Sequence, residues 1–145
     1  MTSGVSNPTE TSGPLILIAD SNLEHAEFLK KSLIEEVKME SSNLMIASDG
    51  IQAFMTIRST LKIHQPSLVN PLKLIILDYG LPSLNCFQIV RQNLPLLVKK
   101  FNKVPTIVII SDDGANEEEC LREADYFLRK PVDVKVLLQI IHDIN

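Results

Sequence analysis

Leu74-Ile75-Ile76-Leu77-Asp78-Tyr79-Gly80-Leu81-Pro82 is the stretch on which the fold depends. Four apolar residues run into one carboxylate, and a Gly-Leu-Pro turn follows. An apolar run of this length between helix-like segments predicts a strand buried on both faces of a parallel sheet. Asp78 then stands at the carboxyl edge, where open α/β sheets place their ligands. A carboxylate buried there is costly unless a cation or hydrogen-bond donors meet it.

The flanking sequence repeats the pattern. Leu15-Ile16-Leu17-Ile18-Ala19 is a second apolar strand, ending in Asp20-Ser21-Asn22. A helix is predicted from Asn22 to Val37, with Leu23, Ala26, Leu29, Leu33 and Val37 at helical spacing and Ser21 or Asn22 as cap. Leu44 to Ala47 is a short strand, Ser48-Asp49-Gly50 its turn, and a second helix carries Ala53, Phe54, Ile57 and Leu61. His64 to Pro71 reads as a polar loop. A third helix carries Phe87, Val90, Leu94, Leu97 and Phe101, and Pro95 within it predicts a kink or a split. Thr106 to Ile110 is the fourth strand, Asn116 to Glu123 a short acidic helix, Tyr126 to Arg129 the fifth strand, and a last helix starts at Asp133. Strand-helix alternation five times over predicts a doubly wound parallel sheet, (βα)5, with helices on both faces.

Residues 1–13 are rich in Ser, Thr, Gly and Pro and read as a disordered tail, leaving one domain over residues 14–145. Net charge is −4, and no basic cluster exceeds a Lys-Lys pair, which argues against nucleic acid. No apolar run is long enough for a membrane span and the amino terminus does not read as a signal peptide, so a cytoplasmic address is expected. Cys86 and Cys120 read as reduced, partly buried thiols; His25, His64 and His142 read as surface residues.

Parallel strands gather their carboxyl ends, so Asp20, Asp78, Ser111 and Lys130 converge on one site. Together they suit phosphoryl transfer. Asp78 is the nucleophile, forming an aspartyl phosphate. Asp20 helps to hold Mg²⁺, a hard cation that prefers oxygen. Lys130 and the Ser111 hydroxyl face phosphoryl oxygens. A cis bond before Pro131 would fix the direction of Lys130.

Asp20 in LILIADSN, Asp78 in LIILDYGLP, Ser111 in IVIISDD and Lys130-Pro131 in DYFLRKPV resemble the receiver domain of two-component response regulators. The resemblance spans Leu15 to Asn145 and implies a flavodoxin-like fold with strand order 2-1-3-4-5. It implies Mg²⁺-dependent transfer to Asp78 from a phosphohistidine of a histidine kinase or histidine phosphotransfer protein. It also implies a backbone carbonyl of Gly80 on the metal, and a switch in which Ser111 moves and Phe127 repacks. The chain would then be a phosphoacceptor with self-dephosphorylation rather than an enzyme; Asp113 would position or repel the attacking water.

Three departures from the family pattern stand out. Ser21 occupies the place of the second acidic residue, the direct metal ligand in the family, which predicts weak Mg²⁺ binding. Cys86 replaces the usual glycine. The interval from Ser111 to Lys130 is short, so its helix is expected to be short or displaced. The competing reading is a receiver-fold interaction module with little or no phosphorylation. A haloacid-dehalogenase-type phosphatase is disfavoured by Gly80 where a second Asp is needed, and a flavodoxin-type carrier by the missing phosphate loop after the first strand. Ending at Asn145, the chain is expected to be a stand-alone regulator or a piece of a larger protein. The last helix has surplus apolar residues, Val136 and Ile140 beside Val134, Leu137, Leu138 and Ile141, which are expected to pack against the preceding helix and the strand edges or to form a partner or dimer face.

Overall fold

The computed structural model describes residues 15–63, 71–112 and 114–144. The expected tail, the start at Pro14, His64 with the connection after it, and Asp113 lie outside them. Five strands, β1 (Leu15–Ala19), β2 (Leu44–Ala47), β3 (Leu72–Asp78), β4 (Thr106–Ser111) and β5 (Tyr126–Arg129), alternate with helices. They form one sheet in the order β2-β1-β3-β4-β5, parallel throughout. The doubly wound (βα)5 expectation and the 2-1-3-4-5 order both hold.

Strand alternation sorts the apolar runs between two cores. Leu15, Leu17, Ala19, Ile75, Leu77, Ile107 and Ile109 face one way. Ile16, Ile18, Leu74, Ile76, Val108 and Ile110 face the other. A strand covered on both sides needs no polar alternation, which is why β1 and β3 read as unbroken apolar runs. Each Leu or Ile so buried contributes roughly 1.5–3 kcal/mol.

Helix α1 (Leu23–Val37) is capped by Asn22, whose side chain accepts the His25 N–H. It buries Ala26, Leu29 and Leu33, whereas Leu23 and Val37, expected in the same stripe, are exposed. They flank the helix ends, beyond the sheet that the central turns cover. Helix α2 (Gly50–Ile63) begins at Gly50 itself, so that glycine opens the helix instead of closing a turn. A Cβ there would stand 1.6 Å from the Leu84 carbonyl oxygen, and only glycine admits the approach.

The third helix is divided into segments, as Pro95 predicts. Residues 86–101, hereafter α3, run through an α segment Cys86–Gln88, a π segment Ile89–Asn93 and an α segment Leu94–Phe101. Pro95 falls in the first turn of the last segment, where a missing N–H costs least, and the preceding wide turn absorbs it. Helix α4 (Glu117–Glu123) is short, as expected, with Asn116 as its cap.

Helix α5 (Val134–Ile144) buries Leu137, Ile140 and Ile141. Its helical neighbour is α1, not the helix before it as expected, because both lie on the same side of the sheet. Val136 remains exposed. Among the described residues no helix is long and apolar enough to cross a membrane.

Candidate functional site

The strand order reverses between β1 and β3, and the cleft at that point opens at their carboxyl ends. Asp20 and Asp78 lie there. Asp20 is fully buried and Asp78 and Ser111 nearly so. Ser111, the last residue of β4, is in register with Arg129, and its carbonyl accepts the Lys130 N–H at 2.7 Å. The peptide bond between Lys130 and Pro131 is cis, as expected.

Lys130 closes the cluster. Its Nζ lies 3.1 Å from both carboxylate oxygens of Asp20 and 3.3 Å from Oδ2 of Asp78. Oδ1 of Asp20 also accepts the Asn22 N–H at 2.9 Å. Oδ1 of Asp78 accepts the Gly80 N–H at 3.2 Å.

One member was missed. His25, expected at the surface, sits with only 11% of its side chain exposed and Nδ1 2.7 Å from Oδ2 of Asp20. The available signal was its position in the first turn of α1. Side chains there lean back toward the helix start, and so over the end of β1.

The two carboxyls respond in opposite directions. Burial works against ionisation of Asp20, but hydrogen bonds from the Asn22 backbone, His25, Asp78 and Lys130 outweigh it and hold its carboxyl below the usual range. Burial raises Asp78, and the hydrogen bond with Asp20 and the charge of Asp20 raise it further, against the pull of Gly80 and Lys130. Asp20 is therefore the more readily ionised member of the pair.

No family model matches the chain. Solved structures do. A chain of the co-crystal structure of the Saccharomyces cerevisiae phosphotransfer protein Ypd1 with the receiver domain of its downstream response regulator Ssk1 is 18% identical, with a TM-score of 0.71 over 93% of this chain and 91% of that one. A CheY-like response regulator receiver domain from Methanospirillum hungatei is 19% identical, with a TM-score of 0.68 over 91% and 93%. A receiver domain from Clostridium thermocellum is 22% identical, with a TM-score of 0.64 over 90% and 93%. This is the fold of response regulator receiver domains.

Within that receiver fold, Phe127 is buried in the core on the α2–α3 side. The Arg129 guanidinium lies 4.8 Å from its ring centre and donates to the carbonyls of Asp112 at 2.8 Å and Ala115 at 3.0 Å. Arg129 thus ties the loop after Ser111 to β5, a contact no sequence pattern announced. Against the same core, Tyr79 meets Phe87 edge-on at 5.7 Å. Arg91 covers Phe87 and pairs with Glu123 at 2.8 Å.

The donor set suits a hard cation in kind, with carboxylate oxygens on Asp20 and Asp78. It falls short in number. Ser21 is exposed and supplies no carboxylate, and among the described residues no group of three or more His, Cys, Asp or Glu could hold a metal.

Cys86 and Cys120 are both free and fully buried rather than partly so. Burial, with the nearby Cys120 thiol, pushes Cys86 up to about 12, and burial raises Cys120 as well.

Proposed function

We propose that the chain is a phosphoacceptor receiver domain that takes a phosphoryl group from a phosphohistidine onto Asp78. The observation that carries this reading is Lys130 Nζ bridging the carboxylates of Asp20 and Asp78 at the edge where the strand order reverses. An oxygen of Asp78 attacks phosphorus, the P–N bond of the donor breaks, and the imidazole departs with that electron pair. Lys130 shifts its contact from Asp78 to the new phosphoryl oxygens, and the Ser111 hydroxyl donates to another. Asp20, Asp78 and the Gly80 carbonyl would hold Mg²⁺, whose charge would offset that of the phosphoryl oxygens.

The donor is a histidine kinase or histidine phosphotransfer protein in the cytoplasm. The pairing of Ypd1 with the Ssk1 receiver in a similar structure supports a partner of that class. Signalling follows from repacking at Ser111 and Phe127, which the Arg129 contacts to Asp112 and Ala115 make visible at the surface. Gly80 adds no side chain over Asp78, so water reaches the phosphoryl group and the domain dephosphorylates itself; it is not an enzyme acting on separate substrates.

A second reading is favoured by one observation. Exposed Ser21 stands where the metal would need a carboxylate, as in an interaction module that has lost phosphorylation. Phosphoramidate, whose P–N bond resembles that of phosphohistidine, separates the two. The phosphoacceptor reading expects a hydroxylamine-sensitive phosphoryl adduct on the wild type and none on Asp78→Asn. An unmodified wild type across millimolar Mg²⁺ supports the interaction module.

A further inference from the structure

His25 makes a contact that the helix it belongs to does not require. Asn22 already caps α1, accepting the His25 backbone N–H at 3.1 Å. The ring instead reaches Asp20, and its Nε2 has no hydrogen-bond partner among the described residues.

An ionised carboxylate offers about four lone-pair positions. Three donors already crowd the two oxygens of Asp20: the Asn22 N–H on Oδ1, His25 on Oδ2, and the Lys130 ammonium 3.1 Å from both. A cation that binds Asp20 therefore competes with these donors. The Asn22 N–H is fixed by the turn between β1 and α1. Lys130 would give up contacts to both oxygens of Asp20 and to Asp78. His25 has one contact to lose. With Ser21 adding no carboxylate, no spare acceptor relieves the competition.

We propose that His25 is a positioning residue that occupies Oδ2 of Asp20 in place of a divalent cation, so that Mg²⁺ enters the site only in competition with its imidazole. The inference rests on the reading of the pocket as a Mg²⁺ site. It makes weak metal binding a consequence of two features acting together: the carboxylate absent at Ser21 and the donor present at His25.

The test is Mg²⁺ titration of the full chain, followed by ¹⁵N amide shifts of residues around Asp20 and Asp78. His25→Leu removes the donor and is expected to bind Mg²⁺ about tenfold more tightly, the size of one hydrogen bond to a charged group. His25→Asn places an amide N–H where Nδ1–H stood and is expected to stay within about twofold of the wild type. A purely structural role would not separate these two variants. If His25→Leu does not fold by far-UV circular dichroism, His25→Ala takes its place. Unchanged or weaker binding in the Leu or Ala variant, or equal tightening in His25→Asn, overturns the proposal while leaving the metal site intact. Absence of Mg²⁺ binding in the wild type, the variants and Ser21→Asp alike overturns both.

Discussion

Lys130 Nζ stands 3.3 Å from Oδ2 of Asp78 and, across 110 positions of sequence, 3.1 Å from Oδ1 of Asp20. One ammonium is shared between two buried carboxylates, so their mutual repulsion is only partly offset.

Asp78→Asn is therefore expected to stabilise the fold. The carboxyl of Asp78 is raised by burial first and by Asp20 second, so the folded state binds its proton more tightly than the unfolded chain does. Its contribution is fully present below the unfolded carboxyl range and is lost as pH rises through the raised folded value. The amide mimics the protonated form at every pH. Thermal unfolding should show a higher Tm for the variant at neutral pH, on the order of a few degrees, with the difference closing as pH falls into the carboxylate range. A lower Tm at neutral pH would contradict the electrostatics.

Ser21→Asp restores a carboxylate beside Asp20. Mg²⁺ affinity should rise by roughly 1–3 kcal/mol, as expected for one added charge at short range. Calorimetric titration measures it. Unchanged affinity would mean that Ser21 does not face the metal.

Gly50→Ala tests the contact between α2 and the loop after β3. The added methyl meets the Leu84 carbonyl oxygen, a backbone atom that cannot swing aside. Gly50 N–H also donates to the Pro82 carbonyl at 3.0 Å, so the loop following Asp78 is held from α2. Denaturant unfolding should show a loss of roughly 1–3 kcal/mol. Wild-type stability would show that the loop adapts freely.

The thiols should be silent in the native state. Cys86, pushed up to about 12, and fully buried Cys120 offer no thiolate to an aromatic disulfide reagent near neutral pH. Both should react once the chain is unfolded in guanidinium. Rapid reaction of either thiol in the folded protein would contradict the packing beneath α3 and α4.

The sheet was legible because β1, β3 and β4 are buried on both faces, and such strands announce themselves as unbroken apolar runs ending in polar residues. The same logic brings Asp20, Asp78, Ser111 and Lys130 to one edge from the sequence alone. What escaped depended on contacts between segments distant in sequence. Gly50 looked like a turn residue because Leu84, the atom group that demands a glycine, lies far along the chain. The tether made by Arg129 went unread because its acceptors are backbone carbonyls, which no sequence pattern marks. Pro95 marks the break, but the π turn that precedes it has no residue signature. The partner of the last helix was misread because chain neighbours were taken as spatial neighbours, whereas alternate helices in this topology cross to opposite faces. His25 was the one miss within reach, since the direction of a first-turn side chain follows from helix geometry alone.

The central claim is that Asp78 accepts a phosphoryl group. Intact-mass spectrometry of the wild type and Asp78→Asn, each incubated with acetyl phosphate and Mg²⁺, addresses it most directly. The account predicts a mass increase of one phosphoryl group on the wild type, mapped to Asp78, and no increase on the variant. An adduct that persists in Asp78→Asn, or a wild type that stays unmodified at saturating donor and Mg²⁺, would contradict it.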